Sequence, residues 1–90
     1  MTIEIDPPSA DLLAEFQELD ATLSNDAFGE RTRHLINYLE EAKLRSREIQ
    51  LRSTDFSERG FAGMVSDAFD ACSRILAAAW RKHHGKDLPI

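Results

Sequence analysis

The sequence has little of several residue types on which small folds and sites depend: one cysteine, one tryptophan, three prolines and four glycines among 90 residues. The single Cys72 excludes an internal disulfide and the paired-cysteine spacings of zinc sites. The longest apolar run, from Ile75 to Trp80, is six residues, whereas a membrane-spanning helix needs about 20. No positively charged leader followed by an apolar run begins the chain. We therefore expect one small domain over residues 1–90, in the cytoplasm and without a membrane span.

Charge is distributed unevenly along the chain, whose net charge is −5. Residues 1–30 contain eight acidic side chains and no lysine or arginine, whereas residues 31–54 carry six basic and three acidic side chains. This acidic arm has two interpretations: it folds beside the basic segment, or it faces a basic partner. The overall acidity argues against nucleic-acid binding, which normally shows a basic face.

Apolar periodicity and capping residues predict two helices in the first half of the chain, after an extended leader over residues 1–8. Ser9 is placed to cap a helix that begins near Ala10, and Asp26 is placed to cap a second helix over about residues 27–51. The predicted buried faces are Leu12, Phe16, Leu19 and Leu23 in the first helix, and Phe28, Leu35, Leu39, Ala42 and Ile49 in the second.

A third helix carries the most regular apolar stripe in the chain. Its start is open between Asp55, which with Glu58 has the spacing of a capping box, and Phe61; it ends at Gly85, before a short tail over residues 86–90. We expect Cys72 to be a small buried residue of the stripe rather than a nucleophile. The stripe consists of Phe61, Val65, Ala68, Cys72, Ile75 and Ala79, separated by alternating steps of four and three residues.

The predicted fold is all-α, an antiparallel helical hairpin of two long helices with a short N-terminal helix. Two long helices of matched length, joined by a short polar turn, favour antiparallel packing. Three helices of this size enclose only a shallow core, so small scaffolds of this kind usually need an additional element for stability. We therefore expect a protein partner, either a second copy or a different chain.

No residue pattern predicts catalysis, a metal site or a cofactor, so we expect a protein that is not an enzyme. His83 and His84 are adjacent, and their side chains diverge on a helix, so they do not bind one metal together. Small helical enzymes such as chorismate mutases place arginine on their first helix, but residues 1–30 contain no arginine. No acid, base and nucleophile converge on one predicted face. The alternatives are a self-associating regulator of antitoxin-like or transcriptional type and, behind it, a small helical enzyme.

The order of segments resembles the small co-chaperones of bacterial type III secretion systems, the YscE, EscE and SsaE type. The resemblance rests on "ADLLAEFQELD", "RTRHLINYLEEAKLRSREIQ" and "FAGMVSDAFDACSRILAAAWRKHHGKDLPI" and covers most of residues 10–90. It implies a helical hairpin that binds a larger repeat-built chaperone as a heteromer. Together the two proteins would keep the needle subunit soluble and unpolymerised in the cytoplasm before export.

An apolar face wider than the hairpin can cover favours docking against another protein. The alternative for each residue of such a face is a place in the chain's own core, and for Trp80 in particular the sequence leaves both open. The residues predicted to bind a partner are Leu13 and Phe16 in the first helix, and Met64, Phe69, Leu76, Ala79 and Trp80 in the last.

Overall fold

The structure, a computed structural model, describes residues 8–89 and shows an all-α fold. The predicted leader over residues 1–8 therefore lies almost entirely outside the described residues, and the last residue of the tail does as well. Four helices and no strand are present over residues 8–89, which confirms the predicted fold class. The helices are α1 (Ala10–Gln17), α2 (Leu19–Asn25), α3 (Glu30–Arg52) and α4 (Phe56–His84).

The N-terminal helix is two short helices rather than the single one predicted. The backbone leaves the helical region at Glu18, where φ is −114° and ψ is 48°. Four residues later the hydroxyl of Thr22 donates a hydrogen bond to the carbonyl oxygen of Glu15, across the break. The change of direction lets α1 pack on α3 while α2 packs on both α3 and α4. Leu23 of α2 thereby reaches the core.

The connection from α2 to α3 corrects where α3 begins: its N-cap is Gly29, and Asp26, predicted to cap a helix from about residue 27, instead reaches the first turn of α3 from three residues before the cap. The Asp26 carboxylate accepts hydrogen bonds of 2.8 Å from both the backbone N–H and the hydroxyl of Thr32. Gly29 has a φ of 76°, a left-handed conformation that favours glycine. A Cβ atom at Gly29 would also lie 2.6 Å from Leu88. Because the chain is not helical at Gly29, α3 begins at Glu30 and not near Ala27.

Local capping also decides the two ends of α4. The Asp55 carboxylate accepts hydrogen bonds from the backbone N–H groups of Ser57 and Glu58, so α4 begins at Phe56, next to the earlier of the two predicted starts. At the other end Gly85 has a φ of 69°, and its N–H donates to the carbonyl of Arg81. The predicted end of the last helix is therefore confirmed.

The long helices α3 and α4 form the antiparallel hairpin and pack through a row of small buried residues. We call this row the small-residue seam: Ala42 and Ser46 from α3, with Ala62, Ser66 and Ser73 from α4. Small side chains let two helix backbones approach closely. At Gly63 the side chain of Gln50 on α3 occupies the space beside α4, since a Cβ atom there would lie 2.8 Å from its side-chain nitrogen.

Polar side chains line one edge of the small-residue seam and support the antiparallel register. Lys43 on α3 pairs with Asp70 on α4 at 3.2 Å, and Arg47 donates a hydrogen bond of 3.1 Å to the hydroxyl of Ser66. Hydrogen bonding to Glu40 and Asp70 raises the pKa of Lys43 from its ordinary value, against a smaller opposing effect of burial. These pairs lie at successive turns of both helices, so a slip of one turn would break them.

The large apolar core lies at the end of the hairpin that α1 and α2 cover. Leu23, Leu35, Leu39, Leu76 and Trp80 are its buried members. Half-buried residues from α1, α2, α3, α4 and the tail surround it, and an edge-to-face contact between Phe16 and Tyr38 closes the α1 side. The other half of the hairpin, toward the α3–α4 turn, depends mainly on the small-residue seam.

The predicted buried stripe of α4 is wrong in position, because α4 turns a different face toward α3. Phe61, Ala68, Cys72 and Ile75 are all exposed, and the prediction that Cys72 is a buried core residue is corrected with them. On the α3 side, Phe28 lies outside the core with 79% of its surface exposed. The physical reason is that α4 has two faces of low polarity. Over residues 62–73 of α4 the face with the smaller side chains, Ala62, Ser66 and Ser73, permits the closer helix contact and packs inward, while farther along the same face Leu76 and Trp80 enter the apolar core.

This assignment of faces predicts that the same substitution changes the stability of the protein at one alanine of α4 and leaves it nearly unchanged at another. Ala62→Leu adds volume inside the small-residue seam and should lower the free energy of unfolding by about 1–3 kcal/mol. Ala68→Leu, on the exposed side, should change it by no more than about 0.5 kcal/mol. Urea unfolding followed by circular dichroism, on dilute protein, measures both. Equal destabilisation by the two variants would contradict the assignment.

Candidate protein-binding face

The side of α4 that points away from α3 is apolar along most of its length. We call it the outer face of α4. Met64 and Ile75 are its most exposed large members, with 71% and 64% of their surface accessible, and Val65 is its one half-buried member. The outer face consists of Phe61, Met64, Val65, Ala68, Ala71, Cys72, Ile75 and Ala78, none of which is charged.

The outer face has the dimensions and chemistry of a helix-docking surface. It extends for about 25 Å along α4 at 1.5 Å per residue. Asp67 and Arg74 lie along one margin, both exposed. Exposed apolar surface of this extent, bordered by charged residues, is typical of sites where another protein binds. Apolar contact and exclusion of water are the interactions that it can supply.

The structure divides the residues predicted to bind a partner into three groups. Leu13 and Met64 are exposed, and Met64 belongs to the outer face. Phe16, Phe69 and Ala79 are half-buried and pack against the apolar core. Leu76 and Trp80 are buried members of that core. For the exposed and half-buried residues, binding to a partner stays a prediction.

For Leu76 and Trp80 the partner assignment is corrected, since side chains enclosed by α2 and α3 present no surface to another protein. The indole of Trp80 is fully buried, and its Nε1–H donates a hydrogen bond of 2.7 Å to the carbonyl oxygen of Asp26. Of the two possibilities that the sequence left for this tryptophan, the structure shows the internal one.

The histidines at the end of α4 complete the same internal contact. The ring of His84 stacks on Trp80 with centroids 4.4 Å apart, and its Nε2 lies 2.7 Å from the carbonyl oxygen of Leu23, which can only accept a hydrogen bond. His83 Nε2 lies 3.2 Å from the Asp20 carboxylate. Trp80, His83 and His84 therefore form a clamp that fastens the end of α4 to α2 and to the loop after it.

Asp26 joins this clamp to the start of α3, and its ionisation is part of the contact. Burial acts to raise the pKa of Asp26, but hydrogen bonds from Thr32 and Arg31, with the charge of Arg31, outweigh it and lower the pKa below 3.8. The ionised carboxylate is thus the form that the folded chain favours. The same residue uses its carbonyl to hold Trp80 and its carboxylate to hold the first turn of α3.

Residues missed by sequence reasoning lie mainly on the outer face of α4. The spacing of Phe61, Val65, Ala68, Cys72 and Ile75, the most regular in the chain, predicts a core stripe and gives no sign that this face is exposed. The residues of α4 that face inward in their place include two serines, Ser66 and Ser73, which apolar periodicity does not register. The spacing of Ala62, Ser66, Ser73, Leu76 and Trp80, which places two serines on one face with the only tryptophan, is the signal that could have found the inward face.

Two further searches of the described residues bear on other kinds of site. Over residues 8–89, no group of three or more histidine, cysteine or acidic side chains is placed to hold a metal ion. In the same part of the chain, no helix has the length together with the apolarity that crossing a bilayer requires.

The fold and the outer face define a class of protein. It is an all-α hairpin of two long helices, in which no described residue of the chain covers one long apolar face. Comparison with known families narrows this class. The chain belongs to the family described as type III secretion system regulatory protein HrpD6, which matches residues 4–82. No curated protein and no solved structure gives a significant match. The predicted link to type III secretion is therefore confirmed, while the co-chaperone role belongs to the proposal below.

The clamp predicts that Trp80 acts through stability. Trp80→Ala should lower the free energy of unfolding by about 3–5 kcal/mol, a large part of the roughly 5–13 kcal/mol expected for a domain of this length. Trp80→Glu should unfold the isolated chain, because it buries a charge among apolar side chains. Helical circular dichroism and thermal unfolding measure both effects. Full retention of helicity in Trp80→Glu would place this residue outside the core.

The lowered pKa of Asp26 predicts an acid-sensitive contribution to stability. A carboxyl whose folded-state pKa lies below its unfolded value of 3.8 stabilises the fold at higher pH, and loses that effect as the pH falls through the folded-state pKa. Asp26→Asn should therefore be less stable than the wild type near neutral pH, and the difference should shrink below pH 3.8. Urea unfolding at a series of pH values measures it. A difference that stays constant down to the acid limit would exclude this role.

Proposed function

We propose that this protein is a non-enzymatic, cytoplasmic co-chaperone or adaptor of a type III secretion system. It pairs with a larger chaperone and keeps an export subunit, such as the needle subunit, soluble before secretion. The observation that carries the proposal is the outer face of α4, a long uncharged helix surface with no cover from the described part of its own chain.

The chemistry of the outer face supports a groove-shaped partner. An amphipathic helix that lays its apolar side into a groove buries more surface than it can against a flat contact. Large side chains at Phe61, Met64 and Ile75 can fill pockets, while Ala68 and Ala71 between them allow close approach of a partner backbone. A larger chaperone built from helical repeats has the concave surface that such a helix fits.

The rest of the fold supports the same role by holding α4 in place. The clamp at Trp80 fixes one end of α4, and the pairs Lys43–Asp70 and Arg47–Ser66 fix its rotation relative to α3. The outer face is therefore presented on a preorganised helix, which reduces the entropy lost on binding. Membership of a type III secretion regulatory family supports the choice of system.

Co-expression with the products of neighbouring secretion genes tests the proposal. The wild type should co-purify with a larger chaperone, whereas Ile75→Glu should lose the complex because it places a charge in the centre of the outer face. Helical circular dichroism of Ile75→Glu should stay unchanged, because Ile75 is not part of the apolar core and 64% of its surface is exposed.

Leu44→Glu is the matched control for this experiment. Leu44 is 61% exposed, close to the exposure of Ile75, but it lies on α3 outside the outer face. The control should retain the complex. Co-purification that survives Ile75→Glu, or is lost equally in both variants, would show that the outer face is not the binding surface.

A further inference from the structure

We propose that, in the free protein, a second copy of this chain covers the outer face of α4 in an antiparallel pairing. This inference goes beyond the proposed function and does not depend on it. It concerns what hides the exposed apolar surface when no larger partner is present. Three properties of α4 carry it: the order of its spacings, the sizes of the side chains, and the charges beside them.

The apolar stripe of α4 has the spacing of a helix-pairing seam, and this spacing is the same from either end. Its members from Phe61 to Ile75 lie on the outer face, and the half-buried Ala79 stands at its end. Phe61, Val65, Ala68, Cys72, Ile75 and Ala79 follow one another by four, three, four, three and four residues. Alternation of four and three keeps a stripe facing a second helix over several turns. Because the series is symmetric, a second α4 running in the opposite direction meets each position with another position of the same stripe.

The side-chain sizes match in this antiparallel register. The ring of Phe61 lies opposite the small Ala79 of the second copy, and Val65 lies opposite Ile75 of the second copy. At the centre Ala68 meets Cys72 of the second copy, two small residues that allow the helices to approach. At each end of the interface a large side chain thus meets a small one. In the pairs between the ends, the two side chains have similar volumes.

Charge complementarity selects the antiparallel direction. Asp67 and Arg74 are exposed on the same margin of the outer face, seven residues apart. Antiparallel pairing brings Asp67 of each copy toward Arg74 of the other, so the attraction occurs twice. Arg74 already contacts Asp70 of its own helix at 2.6 Å, and its guanidinium has further N–H donors for a second carboxylate. A parallel pairing would instead put Asp67 and Arg74 of the two copies on opposite sides of the interface, so this attraction would be lost.

The contact between the two helices is small. Two helices that meet over about 27 Å form an interface at the small end of the range, where reversible complexes are found. The pairing therefore covers the outer face reversibly. A larger partner that wraps the same surface can displace the second copy.

Sedimentation equilibrium of the full chain over a range of concentrations tests the pairing. The wild type and Leu44→Glu should show a reversible monomer–dimer equilibrium, and Ile75→Glu should remain monomeric. A wild type that is monomeric at the highest concentration would overturn the inference. Equal dimerisation of all three proteins would also overturn it, because the contact would then lie elsewhere.

The native Cys72, the only cysteine, tests the register. Ala68→Cys/Cys72→Ser carries its thiol at the position opposite Cys72 of the second copy, and both changes lie at exposed positions. After mixing equal amounts with the wild type under a mild oxidant, the mixed disulfide should exceed twice the amount of either homodisulfide, the ratio that random pairing gives, since bridging requires Cα atoms within about 7 Å. A predominant Cys72–Cys72 dimer in the wild type alone would show a different register and overturn the antiparallel one.

These results can be separated from the test of the proposed function. Co-purification with a larger chaperone by a protein that never dimerises would support the proposed function and overturn only the pairing. Dimerisation through the outer face without any larger partner would support the pairing and count against the co-chaperone role.

Discussion

Close packing of α3 on α4 through the small-residue seam is the contact on which the rest of this structure depends. Alanine and serine side chains let the two helix backbones approach, and this fixes which face of α4 points inward. Once Ala62, Ser66 and Ser73 face α3, the larger residues on the opposite side, among them Ile75, have no element of the described chain to cover them. The exposed apolar face is thus a consequence of the hairpin's own packing.

The two ends of the hairpin are held by different kinds of interaction. At the covered end, Leu23, Leu76 and Trp80 bury large apolar surfaces, and Asp26 joins three helices through its carbonyl and carboxylate. At the turn end, the contact is narrow and Asp55 caps α4. Most of the stabilising apolar burial is therefore separated from the outer face. A partner can bind that face without disturbing the residues that keep the chain folded.

Membership of the HrpD6 family connects this architecture to type III secretion. The exposed face of this small acidic hairpin consists of hydrocarbon with a few charges at its margin. Such a surface recognises other proteins by shape and by exclusion of water. Competition between a second copy and a larger partner for one face would link the amount of free protein to the assembly of secretion components.

The sequence by itself determined the features that depend on neighbours along the chain: the all-α class, the caps at Ser9 and Asp55, and the glycine stop at Gly85. These follow from hydrogen bonds within a few residues. The break at Glu18 and the inward face of α4 were decided only by tertiary structure. A regular apolar stripe such as Phe61 to Ala79 serves a core or an interface equally well. Which one it becomes depends on whether the opposite face, where Ala62, Ser66 and Ser73 pack closely against α3 and Trp80 enters the core, is the one that turns inward.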